Sequence, residues 1–326
     1  MEIYKRILSN FPKRNLRMVF AYGSGVFQQT GHKDMSKNMI DFIFTVDNTL
    51  EWHKENIKRN RNHYSLLKLF GAGTITETQE QYGAGVYFNT LVPCEGRIIK
   101  YGVISTQALL DDLLDWKTLY VSGRLHKPVY IVHNQDHPGL KSAMVGNRQS
   151  AVHTALLCLP EQFTEEELYQ KITGLSYSGD FRMNVGEDQN KIRNIVKPNM
   201  ERFRSMYKSV LMNEEHLYWN KDHGQFEQSL DSASRYHHLN LLPTSLVSCL
   251  IKYGTRDGRT RDVEEILYRL SHNSQCDEIV SNCVSDIVKS SSFSQSVKGI
   301  ITAGFFKSVK YSSAKVWKMM KSKKQK

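Results

Sequence analysis

No stretch of the 326-residue chain is apolar for long enough to cross a bilayer as a helix. Cysteine is sparse: Cys94, Cys158, Cys249, Cys276 and Cys283 are scattered, odd in number and form no CxxC pair. That pattern argues against a disulfide framework or a zinc knuckle, and for a reducing compartment. A Walker P-loop is absent, because no Gly-Lys-Ser/Thr follows Gly25. A GxSxG elbow, an HExxH pair and any adjacent His/Cys metal pattern are also absent. Lone histidines such as His53, His63 and His153 are read as structural, and nothing is read from His237-His238. The opening MEIYKRILSNFPKRNLR has one acid among several bases. It is too short and interrupted for a secretory signal and matches a mitochondrial targeting helix weakly. The C-terminal end lacks acid altogether: none occurs from Ile287 to Lys326.

The residues that are present describe a folded, basic protein. Hydrophobic content is 40% and charged content 24%, enough to bury a core. The length suits two domains or one large one. A formal charge of +11 and a pI near 9.3 call for an anionic partner: nucleic acid, nucleotide or an anionic membrane.

The most informative stretch is Phe20 to Asn48. An apolar run ends at Tyr22-Gly23-Ser24-Gly25, and a second run, Met39 to Val46, contains a single carboxylate, Asp41. An ionised Asp in such a run is costly to bury unless paired or metal-bound. Strand, Gly-Ser-Gly turn and Asp-bearing strand together form the layout of a nucleotidyltransferase site. The glycines admit a phosphate close to backbone N–H groups, and the Asp would hold the metal that offsets phosphate charge. The competing reading is an ordinary glycine turn with a strand-end Asp facing water.

Along the chain, residues 1–17 predict a short amphipathic helix ending near Pro12. Strands are expected at 18–22 and 39–46, then a basic helix at 49–69. Residues 83–89 and 97–104 predict a hairpin turning at 93–96. A helix follows over 107–120 and a last strand at 127–132. Beyond about residue 138 the pattern is helical, with a capping box at Thr164–Glu167. A loop is expected at 176–187, a helix with Ile192, Ile195 and Val196 after it, polar loop at 213–235, and helices at 244–253 and 262–271. Strands first and helices later predict an α+β domain followed by a helical one. From Lys298 onward there are nine lysines. On a helical wheel Ile301, Phe305, Val309, Val316 and Met319 oppose Lys307, Lys310, Lys315 and Lys318. That is the pattern of a helix lying in a membrane interface; the alternative is a terminal helix docked on the protein with a solvated lysine face.

Three further places attract phosphate chemistry. Lys100 lies mid-strand in IIKYGVI. The segment Gly123-Arg124-Leu125-His126-Lys127-Pro128 gathers bases around a rigid turn. The loop Tyr177 to Met183, with Glu187, Asp188 and Lys191 after it, mixes both signs. Each alone reads as surface charge; together with the glycine turn they point to a phosphate site.

The combination resembles the mitochondrial phosphatidate cytidylyltransferase family, also called mitochondrial CDP-diacylglycerol synthase or the translocator assembly and maintenance protein. The matching pieces are YGSGVFQQ (22–29), MIDFIFTVD (39–47), WHKEN…NRNHYS (52–65), YGAGVYFN (82–89), IKYGVIS (99–105), DLLDW…LYVSGRLHKPV (112–129), LLCLPEQFT (156–164), LSYSGDFRM…ED (175–188) and VKSSSFSQSVKGIITAG (288–304). Nearly the whole chain is covered; residues near 213–240 are unfamiliar. The chain begins very close to the first domain, with little room for a presequence.

The resemblance implies a polymerase-β-type nucleotidyltransferase domain (1–137), a helical, winged-helix-like domain (138–290) and a basic amphipathic tail (291–326) that associates with the inner membrane from the matrix side. It implies transfer of CMP from CTP to phosphatidic acid with Mg²⁺, feeding cardiolipin synthesis, with no nucleic-acid partner. Polymerase-β-type enzymes carry Asp-x-Asp on this strand; here the second position is Ile43. The missing carboxylate is sought among Asp180, Glu187, Asp188 and Asp47, with Asp41 and Asp180 as the favoured metal pair. Asp41, Lys100 and Asp180 are the expected catalytic residues. Tyr22, Gly23, Ser24, Gly25, Lys127, Arg182 and Lys191 are expected on phosphates. Phe305, Val309, Lys310, Val316, Trp317 and Lys318 are expected at the membrane. A rival from another class is a non-enzymatic peripheral factor supporting assembly of the import machinery; another is nucleotide transfer to protein or RNA.

Overall fold

The computed structural model describes residues 2–28, 38–185 and 190–303. Glu187, Asp188 and the six membrane candidates from Phe305 to Lys318 therefore lie outside the described residues.

The chain starts with helix α1 (Glu2–Ser9), then strands β1 (Leu16–Tyr22) and β2 (Ile40–Val46). Next come α2 (Thr49–Arg59), two short 3-10 turns, and α3 (Gly71–Gln81). The hairpin β3 (Val86–Cys94) and β4 (Arg97–Ser105) leads into α4 (Thr106–Asp115), α5 (Ser122–Leu125) and β5 (Tyr130–Asn134). The strands form one five-stranded mixed sheet in the order β3-β4-β2-β1-β5. Among the described residues only the β2–β4 pair of this sheet is parallel.

The run Ile40 to Val46 is apolar on both faces because both faces are covered. Phe42, Phe44 and Val46 pack with Ile7, Phe11 and Trp52 on one side. Ile43 packs with Leu109, Leu113, Leu140 and Ala143 on the other. Each such large side chain stabilises by about 2–3 kcal/mol on leaving water. The basic helix expected over 49–69 stops at Arg59, and a separate helix, α3, occupies 71–81. His53 and His63 are structural, as expected. The His53 ring lies 2.8 Å from both the Tyr64 hydroxyl and Gln79 Oε1, and His63 Nδ1 lies 3.2 Å from the Tyr101 hydroxyl.

The second half is mainly helical: α6 (Pro138–Leu156), β6 (Gln162–Phe163), α7 (Glu165–Leu175), α8 (Arg182–Val185), α9 (Lys191–Val196) and α10 (Met200–Met212). The Thr164–Glu167 capping box is present at the start of α7. The stretch 213–235, expected as loop, instead contains a hairpin, β7 (Leu217–Asn220) and β8 (Gln225–Gln228), which pairs with β6. Its strands are too short and polar for alternation to reveal them. A buried polar anchor holds the hairpin: Gln228 Nε2 donates to the carbonyls of Leu156, Leu159 and Pro160. Four helices follow: α11 (Ser232–Asn240), α12 (Thr244–Gly254), α13 (Val263–Ser271) and α14 (Cys276–Ala303).

The cysteine pattern argued against disulfides, yet Cys249 on α12 and Cys283 on α14 form one. A separation of 34 residues carries no local signature of that pairing. Helix α14 also runs unbroken across position 291 and docks back on the first sheet. Gln295 Oε1 accepts from Ala84 N–H, and the Lys298 ammonium donates to the carbonyls of Gln79 and Tyr82. Among the described residues no helix is long and apolar enough to cross a membrane.

Candidate active site

Register builds the site. Tyr22 on β1 stands opposite Asp41 on β2, and Asp41 stands opposite Lys100 on β4. Directly opposed residues project from the same face of a sheet. Three strands thus place a phenol, a carboxylate and an ammonium in one row. The Lys100 ammonium lies 4.3 Å from the centre of the Phe88 ring, a cation–π contact that holds its stem.

The Gly-Ser-Gly turn closes over this row. Gly23 has φ +82°, and a Cβ there would lie 3.1 Å from Asp41 Oδ2. Gly25 presses on β2 so closely that a Cβ would run into the Met39 carbonyl, with Ile40 Cα only 3.1 Å away. The turn is pinned by Val26 and Phe27 N–H groups donating to the Gly23 carbonyl and by Asn38 Nδ2 donating to the Ser24 carbonyl.

Cations arrive from the other half of the site. The Arg124 guanidinium lies over the Tyr22 ring at 5.1 Å and donates to the Pro128 carbonyl. Burial lowers its pKa, opposed by Tyr177, Tyr22 and Asp41. Lys127 is 2% exposed, donates to Ser176 Oγ at 2.5 Å, and sits 4.7 Å from the Tyr177 ring. Lys191 approaches the same ring at 4.9 Å. Burial pushes the Lys127 ammonium well below its ordinary value, and the charges of Arg124 and Lys191 push it further. A buried cluster of like charge is costly, and a bound anion would relieve it. Gly23, Phe27, Arg124, Pro128, Ile195 and Asn199 line a narrow crevice at this edge. A larger cleft of about 330 Å³ beside Tyr253 and Arg269 shares no lining residue with the cluster.

The connection carrying Arg124 and Lys127 is held rigidly from beneath. Asp112 accepts N–H groups from Thr118, Leu119, Val121 and Ser122. Asn147 Oδ1 accepts from Trp116 Nε1 at 2.9 Å and lies 2.9 Å from His126 Nε2, while its Nδ2 donates to the Ser122 carbonyl. Pattern reading had isolated the basic segment 123–128 but assigned only Lys127. Arg124 and Tyr177, both in segments singled out from the sequence, received no role there, and Asp112 and Asn147 were missed. Arg124 had a signal, lying three residues before Lys127 on one tight turn. The other three depend on contacts distant in sequence.

The expected residues divide into two groups. Tyr22, Gly23, Ser24, Gly25, Asp41 and Lys100 cluster at one end of the sheet, with Lys127 and Lys191 joined to them through Arg124 and Tyr177. Asp180 and Arg182 are engaged with each other: Asp180 Oδ1 accepts from Arg182 N–H and Nε, and Oδ2 accepts from Nη2 at 2.6 Å. Asp47 lies at the opposite end of β2, bound to Arg17 and Thr106. Six residues of strand span about 20 Å, so Asp47 cannot share an ion with Asp41.

The donor set suits Mg²⁺. That ion keeps most of its water and takes one or two carboxylates plus substrate phosphates. Asp41 supplies a carboxylate, and the missing side chain at Gly23 leaves space beside its Oδ2.

Residues 4–318 match the sequence model of a family described as phosphatidate cytidylyltransferase, mitochondrial. The chain belongs to this family. It is 49% identical over 321 residues to the Xenopus laevis protein named mitochondrial phosphatidate cytidylyltransferase, covering 98% of this chain and 95% of that one. The Danio rerio protein of the same name is 50% identical over 318 residues, covering 97% and 94%. The Bos taurus protein, also so named, is 49% identical over 319 residues, covering 98% and 94%. The family match takes in both the Asp41 cluster and the helical half, including the hairpin near 213–240 that had no familiar motif.

Proposed function

We propose that this chain is a mitochondrial phosphatidate cytidylyltransferase, transferring CMP from CTP to phosphatidic acid with release of pyrophosphate. The relatives' shared name supports the activity, and the observation that carries it to particular residues is the buried Arg124–Lys127 pair beside Asp41. The mixed sheet is read as a polymerase-β-type nucleotidyltransferase domain. The helices after residue 138, with the β6-β8-β7 sheet, are read as the winged-helix-like domain. CDP-diacylglycerol made here would serve cardiolipin synthesis at the matrix face of the inner membrane.

In this reading the acceptor is a phosphate monoester, already ionised at neutral pH, so no strong general base is needed. Its oxygen attacks the α-phosphorus of CTP. A new P–O bond forms, the α–β bridging P–O bond breaks, and pyrophosphate leaves with the electron pair. The protein's work is alignment and charge compensation. N–H groups of the Gly23–Gly25 turn and the Ser24 hydroxyl receive the triphosphate. Lys100 faces the reacting centre beside Asp41. Arg124, Lys127 and Lys191 offset the charge of nucleotide and lipid phosphates, and the aromatic rings of Tyr22 and Tyr177 hold these cations in place. Asp180 is the proposed second carboxylate, and metal binding there would release its ion-pair partner Arg182 to the phosphates. Mg²⁺, held by Asp41, would supply a Lewis acid for the phosphate oxygens.

Peripheral membrane binding is assigned to the basic segment carrying Phe305, Val309, Lys310, Val316, Trp317 and Lys318. A purely structural role in import assembly is not favoured, because it gives buried cations around a strand carboxylate no purpose. The test is a screen of purified protein with the four nucleoside triphosphates against lipid, protein and RNA acceptors. CTP with phosphatidic acid should be the productive pair; transfer to protein or RNA instead would overturn the assignment.

A further inference from the structure

A second cluster of chemistry-bearing side chains lies in the helical half, apart from Asp41. His153 on α6, Glu214 just after α10, and His237 and His238 on α11 bring one ligand atom each within 4.8 Å of one another. We infer that these four side chains form a structural site for a divalent transition metal, best suited to Zn²⁺.

The distances fit such an ion. His153 Nδ1 lies 3.1 Å from His238 Nδ1 and 3.3 Å from Glu214 Oε2. Tetrahedral zinc with bonds of about 2.0–2.2 Å separates its ligand atoms by about 3.3–3.6 Å. Two imidazole nitrogens and a carboxylate oxygen thus converge on one small volume. Imidazole with carboxylate is a zinc donor set, whereas magnesium and calcium sites are built from oxygen.

His238 Nε2 is buried with no hydrogen-bond partner, so this ring's polar contacts all lie on the Nδ1 side. His216 supplies an outer layer: its ring lies 4.7 Å from that of His237, and its Nδ1 is 3.2 Å from Ser234 Oγ.

Four protein ligands leave no position for substrate, which marks a structural site rather than a catalytic one. The ion would tie three segments distant in sequence: α6, the end of α10 and α11. Helix α6 also carries Asn147, which braces the connection bearing Lys127. The sequence hides the site because only His237 and His238 are neighbours.

The test uses the untagged full-length protein, dialysed against chelator and then given zinc. Plasma mass spectrometry should find about one zinc retained per chain after desalting, and zinc should raise the melting temperature. His237→Ala, at the half-buried rim, should weaken zinc binding at least about tenfold and abolish the thermal shift. Its metal-free circular dichroism should match that of metal-free wild type. His237→Asn serves if the alanine variant misfolds. Wild-type protein retaining under about a tenth of a zinc per chain would overturn the site. So would His237→Ala and Glu214→Gln binding zinc as tightly as wild type, since the metal would then sit elsewhere.

Discussion

Asp41 and Lys100 are direct register partners across the parallel β2–β4 pair. That register puts the ammonium on the same face as the carboxylate, beside any phosphate that a metal on Asp41 would hold. Lys100→Met keeps an apolar stem beside Phe88 and removes the charge. It should lower kcat/KM by about 10²-fold, the loss seen when one charge-stabilising donor is removed. The melting temperature should change little. Steady-state kinetics with CTP varied checks this; unchanged kinetics would remove Lys100 from the site.

Gly25 makes a backbone-to-backbone contact that no side chain can relax. The added methyl of Gly25→Ala meets the Met39 carbonyl and the Ile40 Cα, so the turn must lift from β2. Nucleotide affinity should fall at least about tenfold while the folded state persists, because the turn lies at the edge of the core. Calorimetric titration with CTP reads this directly.

Stability should decline on mild acidification. Burial lowers His53 to about 4 and His126 to about 3 from an ordinary 6.5. Between pH 6.5 and 4 the unfolded chain takes up protons that the folded chain refuses. The contribution is fully present above pH 6.5 and is lost as pH falls toward 4, at up to about 1.4 kcal/mol per unit for each ring. Urea unfolding at pH 7 and pH 5 should show the difference, and His53→Gln should reduce it.

The tail prediction depends on where the chain is cut. Lys298 is 3% exposed and bonded to two carbonyls, and burial lowers its pKa to about 7. Removal of 298–326 therefore strips packed residues from the sheet and should lower the melting temperature by several degrees. Removal of 304–326 should leave it within about 2 °C yet weaken binding to cardiolipin- or phosphatidate-rich vesicles. Each lysine near an anionic surface contributes about 1 kcal/mol. Equal vesicle binding by the 304–326 deletion would refute the membrane role of the tail.

Lys298 also has a pH signature of its own. Its folded value lies below its unfolded one, so from pH 7 to about 10.5 stability should rise with pH. Lys298→Met should flatten that rise.

How much of this was legible in advance follows the range of the interactions. β1 and β2 were read within two residues of their bounds because both are mainly apolar, each with one charged residue, Arg17 and Asp41. The Thr164 cap was legible because its partner is three residues away. Asp41 and the glycine turn stood out because a lone carboxylate in an apolar strand needs a reason. The β7–β8 hairpin, the Cys249–Cys283 bond and the Asp112 and Asn147 braces were invisible, since each is defined by a partner far along the chain. The companions of His153 likewise arrive from α11 and the end of α10, far along the chain.

The most direct test of the central claim is CDP-diacylglycerol formation by purified wild type and Asp41→Ala, assayed with CTP, Mg²⁺ and phosphatidic acid. Melting curves should be run on the same samples. Wild type should turn over, and Asp41→Ala should lose at least about 10³-fold in kcat with a melting temperature close to wild type. A folded Asp41→Ala protein active within a few-fold of wild type would contradict the account.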